Sequence, residues 1–259
     1  IRSRRARLLG GGLELSYDEP VHVVRGDDVF LIADDGRRYL DCYNNVPQVG
    51  HSHPAVADAV ARQWHILNTN TRYLSEPILD YAERLIALMP KSAGLDRCLF
   101  VNCGSEANDI AWRMAKLATG ARGGITMDNA YHGGTDAVAA LSPYDQQRFQ
   151  LAPHIRTLEA PDCYRGRFAG ELADAGRLYA TDAERATRSL ADAGHGTAAF
   201  IVDTGFISSG MLDAPANYLT TVAETIRRAG GLVIADEVQF GFARSGDRFW
   251  GFDTHRLVP

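Results

Sequence analysis

The chain has 259 residues, 46% of them hydrophobic and 23% charged, with a formal net charge of -5 at pH 7. That is the composition of a globular protein with a sizeable core, and its acidic balance argues against a nucleic-acid binder, which carries a basic face. No apolar run reaches the length of a transmembrane helix, and the four cysteines form no CxxC pair of the zinc or redox type, so a reduced, cytoplasmic setting is the default expectation.

The first fifty residues read as irregular segments and short strands. Arg2, Arg4, Arg5 and Arg7 form a basic start that lacks the apolar stretch of a signal peptide. Asp34-Asp35-Gly36 is a hairpin-type turn between the apolar runs 29–32 and 38–40. From Gly50 the pattern changes to an alternation of helices and strands. Pro54 suits the first turn of a helix running towards Leu67, with Val56, Val60 and Trp64 on one face. A second helix is expected over 77–88. The apolar run Cys98-Leu99-Phe100-Val101 reads as a strand, and a helix through Ile110, Met114 and Leu117 follows it. Residues 124–127 are the next strand and lead into Tyr131-His132-Gly133-Gly134. The stretch 143–180, rich in Arg, Gly and Pro, reads as a long irregular excursion. A helix over 182–193, a strand over 198–202 ending at Asp203, a helix over 217–229 and a strand from Leu232 complete the pattern. Strands separated by helices imply right-handed crossovers and an α/β fold with a mainly parallel sheet and helices on both faces. Two parts are expected, an N-terminal segment of residues 1–50 and a large domain of residues 51–259.

Four strand ends place polar groups together: residues 102–105, 128–132, Asp203, and 236–239. A doubly wound sheet sets its chemistry just past the carboxyl ends of its strands. The run Leu232-Val233-Ile234-Ala235 ends in Asp236 and Glu237, which alone also fits a Walker-B-like metal site or a salt-bridged strand end. Gly104-Ser105 opens a helix, and Ser105 either caps it or joins its backbone N–H groups in an anion site suited to phosphate. Glu106 beside such a phosphate must point away or be paired. Tyr131-His132 offers rings that cover a flat cofactor, or two ordinary half-buried side chains. A buried Asp236 needs a cationic partner, which a protonated heterocyclic nitrogen supplies. A phosphate cradle, an aromatic lid and a buried carboxylate are what pyridoxal phosphate requires.

The motifs GSEAN (104–108), YHG (131–133) and ADEVQFGFAR (235–244), with FWGF (249–252) downstream, resemble the class III aminotransferases, pyridoxal-phosphate enzymes of fold type I. The match runs from about Tyr39 over nearly the whole chain. The resemblance implies that Gly104 and Ser105 hold the cofactor phosphate, that Tyr131 stacks on the pyridine ring, and that Asp236 binds the ring nitrogen. It places Gln239 by the ring hydroxyl and brings His132 and Asp203 into the cofactor-binding set. Asp203 stands where the class carries Glu, so an interaction made through the longer side chain is lost or water-mediated, and Cys103 replaces a small residue before the Gly-Ser pair. The loop GHSHP (50–54) resembles a family element near the subunit boundary, and no metal is expected at His51 or His53.

Within the class, Asn44-Asn45-Val46-Pro47, Leu67-Asn68-Thr69-Asn70-Thr71-Arg72, Ser142-Pro143-Tyr144 and Pro161-Asp162-Cys163-Tyr164-Arg165-Gly166 resemble the ethanolamine-phosphate and phosphohydroxylysine phospho-lyases. That branch implies elimination of phosphate from a phosphorylated amino alcohol, giving an aldehyde and ammonia. Arg72 and Arg165 are candidates for the substrate phosphate, and each is equally readable as a surface or ion-paired arginine. An ω-aminotransferase and a non-catalytic cofactor-binding module are the alternatives. The family's cofactor-linking lysine falls beyond Pro259; Lys91 and Lys116, the lysines present, match no such position, and the chain reads as a piece of something longer. The resemblance further implies a homodimer with shared sites and a small amine substrate, with no nucleic-acid or membrane partner.

Overall fold

The computed structural model describes residues 1–9, 15, 17–43, 47–146, 151–170 and 173–259. Residues 44–46 of the Asn44-Asn45-Val46-Pro47 motif therefore lie outside the described residues. The chain forms two compact units, Ile1–Tyr73 and Leu74–Pro259, so the helix from Pro54 groups with the first unit.

The first unit contains helix α1 (Arg2–Leu8), strands β1 (Val23–Asp27), β2 (Phe30–Ala33) and β3 (Arg38–Leu40), and helix α2 (Pro54–Ile66). The strands form an antiparallel sheet in the order β1-β2-β3. The Asp34-Asp35-Gly36 turn sits where the sequence expects it: Gly36 has φ 84° and its N–H donates to the Ala33 carbonyl at 3.0 Å. Glycine takes that left-handed conformation without the Cβ penalty of other residues. Pro54 opens α2, but the face carrying Val56, Val60 and Trp64 is not buried, with Trp64 66% exposed. His51 of the GHSHP loop places Nε2 2.7 Å from Asp41 Oδ2.

The second unit contains α3 (Glu76–Ala87), α4 (Gly104–Thr119), β4 (Gly123–Met127), α5 (Asp136–Ala139), β5 (Ile155–Leu158), α6 (Ala175–Asp192), β6 (Thr197–Asp203), α7 (Tyr218–Arg228), β7 (Leu232–Asp236) and α8 (Gly251–Thr254). All four strands pair in parallel, in the order β5-β4-β6-β7. The expected α/β class with a parallel sheet is therefore what the chain adopts.

Two expectations are corrected. The run 98–101 is not a strand: it pairs with no strand among the described residues, and Leu99 is 68% exposed. Apolar side chains favour a strand only where a neighbouring ladder satisfies the backbone. The stretch 143–180 is more ordered than its composition suggests, since it supplies edge strand β5 and the first turns of α6.

Period-two alternation in the strands sorts the core into two layers. On one face Phe200 and Val202 of β6, with Ile125 and Met127 of β4, pack against α6 and α7. Tyr179, Ala183, Ala186 and Leu190 of α6, spaced at three and four residues, form the stripe that meets them. On the other face Ala199 and Ile201 meet Trp112 and Ala115 of α4. A Cβ at Gly124 would lie 2.8 Å from both Ile155 Cδ1 and Leu141 Cδ2, so glycine is what lets β4 sit against this second layer. Each large side chain buried in these layers contributes about 1.5–3 kcal/mol.

The strand order has a functional consequence. From β4 the chain crosses to β5 on one side, then returns to lay β6 and β7 on the other. The carboxyl ends of β4 and β6 therefore flank the switch point where doubly wound sheets bind ligands. No helix among the described residues is long and apolar enough to cross a membrane.

Candidate active site

Asp236 ends β7 beside Asp203, its register partner at the end of β6. Its side chain is buried and accepts several hydrogen bonds. Oδ2 takes one from His132 Nδ1 at 2.7 Å and one from Asn108 Nδ2 at 2.8 Å, and Oδ1 takes the Val238 N–H at 3.1 Å. Such convergence leaves no acceptor of this buried carboxyl group unmet. His132 is itself held. Its Nε2 lies 3.2 Å from Thr126 Oγ1, its N–H donates to Ser142 Oγ at 2.9 Å, and its carbonyl accepts from Asn108 Nδ2 at 2.8 Å. Helix α4, the loop after β4 and the end of β7 are thus joined by one polar cluster in a dry setting.

His132, with a side chain 0% exposed, lies behind the carboxylate, whereas Tyr131 is 40% exposed. The two adjacent rings therefore differ in setting: one is tied to the acid, and the other is partly open to solvent.

The N-terminus of α4 is built differently from its expected form. The helix begins at Gly104 with Cys103 at the cap position, so Ser105 lies inside the first turn and does not cap it. Its Oγ instead accepts the Gly134 N–H at 3.2 Å, which leaves the hydroxyl proton available for a ligand. Gly133, at φ 135°, brings the loop so close that a Cβ there would lie 2.5 Å from Ser105 Oγ. Glu106 turns back to accept the Asn102 N–H at 2.9 Å and Asn102 Nδ2 at 3.0 Å, so it is paired away from the helix end. Anions favour such an end, where N–H groups and the helix dipole point outward.

Asp203 accepts the N–H groups of Gly205 at 3.1 Å and Ile207 at 2.7 Å. Burial pushes its pKa up to about 6; the two amides and His132 oppose the rise, and Asp236 adds to it. The folded chain therefore holds a proton between the ordinary value of 3.8 and about 6 that the unfolded chain has released. Its stabilising contribution is full below 3.8 and is lost as pH rises through about 6, amounting to roughly 2–3 kcal/mol. Urea denaturation at a series of pH values is expected to show this decline, and Asp203→Asn to flatten it; an identical pH profile in the variant would assign the slope elsewhere.

The carboxylates of the Asp236-Glu237 pair separate in function. Glu237 Oε1 accepts from Thr204 Oγ1 at 2.6 Å and from the Phe252 N–H at 2.8 Å, and Oε2 accepts the Gly251 N–H at 2.5 Å. It fastens the start of α8 to the end of β6. Gln239 is half-buried in the turn after β7. Arg165 is exposed in the 161–166 turn. Its N–H donates to Asp162 Oδ1 at 2.9 Å, and its Nε stands 3.8 Å from Asp162 Oδ2. Arg72 belongs to the first unit, where its N–H donates to Asn70 Oδ1 at 3.0 Å. Asn108, Thr126 and Ser142 complete the cluster around Asp236; the first and last lie in motifs that the sequence shows, but sequence reasoning gives none of the three a role. A signal for Asn108 exists, since it shares the inward stripe of α4 with Trp112 and Ala115, and a polar residue on an apolar stripe calls for a buried partner.

A doubly wound sheet with a helix end suited to an anion and a buried carboxylate past the carboxyl ends of its strands is the arrangement that a pyridoxal-phosphate site would use. The family model for class III aminotransferases matches residues 15–259, and the chain belongs to that family, whose cofactor is pyridoxal 5′-phosphate. Among its relatives is an "Alanine--glyoxylate aminotransferase 2-like" protein of Drosophila melanogaster, 39% identical over 262 residues, covering 98% of this chain and 53% of that one. Another is "Ethanolamine-phosphate phospho-lyase homolog 1" of Caenorhabditis elegans, 34% identical over 272 residues, covering 99% and 56%. Among solved structures, a phospholyase from Arthrobacter in complex with phosphoethanolamine superposes with a TM-score of 0.93 at 39% identity, covering 100% of this chain and 60% of that one. The chain spans about half the length of the curated relatives it matches.

The residues present fit the cofactor. The ring nitrogen calls for a buried carboxylate, which Asp236 would supply, and the phosphate calls for outward N–H groups and a hydroxyl, which the start of α4 and Ser105 would supply.

Proposed function

We propose that the protein to which these residues belong is a pyridoxal-phosphate-dependent phospho-lyase of a phosphorylated amino alcohol such as phosphoethanolamine, producing an aldehyde, ammonia and inorganic phosphate. The observation that carries the cofactor half of this reading is the Asp236–His132–Asn108 cluster at the carboxyl end of the parallel sheet. The choice of lyase rests on the likeness, over the whole chain, to a phospholyase that binds phosphoethanolamine.

In this reading Asp236 faces the ring nitrogen, with its charge held in place by His132 and Asn108. Gly104 and Ser105 hold the cofactor phosphate, Tyr131 lies over the ring, Gln239 sits by the ring hydroxyl, and Asp203 supports the floor beneath. When bound, the cofactor supplies an electron sink that stabilises negative charge at the substrate carbon bearing the amine. Arg165 takes the substrate phosphate, for which it is suited because its side chain is exposed and its contact with Asp162 is long. The assembled enzyme is read as a homodimer with shared sites, in keeping with the apolar face that α2 leaves exposed.

The test is phosphate release from phosphoethanolamine by the full-length protein without any keto acid. Arg165→Ala is expected to raise the KM by roughly tenfold or more, the worth of a charge-assisted contact, with the cofactor absorbance unchanged. An unchanged KM would remove Arg165 from the site. The relative named as an aminotransferase, at 39% identity, favours a second reading in which an amino group moves to a keto acid. Transfer that needs the keto acid and frees no phosphate would establish that reading instead.

A further inference from the structure

The end of the sheet opposite Asp236 carries a cluster that the chemistry above does not use. Lys116, Arg122, His154 and His195 line a pocket of about 340 Å³. They arrive from separate segments: Lys116 from the last turn of α4, Arg122 from the turn before β4, His154 from just before β5, and His195 from the turn between α6 and β6. Because β4, β5 and β6 are parallel, their amino ends lie on one edge and bring these side chains together.

Backbone hydrogen bonds fix the lining. The Arg122 N–H donates to the His195 carbonyl at 2.8 Å, the Gly124 N–H to the His154 carbonyl at 2.9 Å, and the His195 N–H to the Leu190 carbonyl at 2.9 Å. The two imidazoles meet edge to face with centroids 6.2 Å apart, and Lys116 Nζ stands 5.2 Å from the centroid of Trp112. None of the four side chains enters an ion pair among the described residues. The carboxyl ends of α4 and α6 supply only partial negative charge. A concave site with converging cations and no facing carboxylate repels itself until an anion enters it.

We propose that this pocket binds a phosphate-bearing polyanion. The volume exceeds what one small inorganic ion fills, and the lining offers guanidinium, ammonium and imidazole donors, the groups that recognise phosphoryl oxygens. The charged groups facing His154 are His195, Lys116 and Arg122, all cationic when protonated; with burial as the larger cause, they hold His154 below the usual imidazole range. An anion reverses the balance of charge, so its binding draws a proton onto His154 and tightens as pH falls.

Inorganic pyrophosphate is the probe, titrated calorimetrically into the full-length protein with its cofactor bound. Saturable binding is expected, tighter at about pH 6 than at about pH 8. Lys116→Gln and Arg122→Gln are each expected to weaken it by roughly tenfold, with the cofactor spectrum unaltered. Arg122 is exposed, so its variant tests the pocket even if Lys116→Gln disturbs α4. Absence of saturable binding would overturn the proposal, and so would undiminished binding in Arg122→Gln, which would place the anion elsewhere, including at the end of the sheet that carries Asp236.

Discussion

Asp236→Asn in the full-length protein is expected to lower kcat/KM by two to four orders of magnitude while leaving the fold intact. The magnitude follows from the roughly 3–5 kcal/mol lost when one member of a buried charge pair is removed. The retained fold follows from geometry. His132 Nδ1 and Asn108 Nδ2 both donate to Oδ2, and an asparagine oxygen in that place accepts both. The amide nitrogen then faces the Val238 N–H, donor against donor, at a modest cost in stability. The charge that would hold a protonated ring is gone. Steady-state kinetics and the absorbance of the bound cofactor provide the check, and near-normal turnover would refute the assignment.

Glu237→Ala, one residue further along, is expected to act on stability rather than on chemistry. It removes the acceptor for the Gly251 and Phe252 N–H groups and for the Thr204 hydroxyl, which is fully buried. Charge-assisted hydrogen bonds are worth about 1.5–3 kcal/mol each and the unmet donors add their own cost, so a loss of about 3 kcal/mol in unfolding free energy is expected. Trp250 and Phe252 would loosen with it, because the start of α8 sets their place in the core. Denaturant unfolding followed by tryptophan fluorescence measures this. A midpoint matching that of the parent would mean that α8 is held by its apolar contacts alone.

These two variants show what the sequence could and could not reveal. Asp236 becomes a site candidate in sequence only through the motifs around it, because a short apolar run ending in an acid equally suits a salt-bridged strand end. The division of labour with Glu237 is not legible there, since it depends on Thr204 and Gly251 arriving from elsewhere in the chain. The hairpin around Gly36 and the helices α4 and α7 are carried by local signals and form where expected. Strand β5 is missed because Ile155-Arg156-Thr157-Leu158 is only four residues long and sits between prolines at 153 and 161, a pattern that also suits a loop. The run 98–101 errs in the opposite sense, as apolar composition says nothing about whether a partner strand is present. Ser105 looks like a cap in sequence; its bond to Gly134 arises only when the loop after β4 folds over α4. The partners of Asp236 come from positions 104 and 128 residues away, beyond any periodicity.

The pairing of Asp203 with Asp236 makes the β6–β7 ladder a gauge for the chemistry. Side chains alternate between faces along a strand, so a shift of β7 by one residue would send each of them to the opposite side. Glu237 would then stand in the dry site with a longer reach, and Asp236 would be drawn into the sheet away from His132 and Asn108. Substitutions at residues 232–235 that preserve length leave the placement of the acid intact, whereas a single-residue deletion there moves Glu237 into the position of Asp236 and a single-residue insertion leaves that position without a carboxylate.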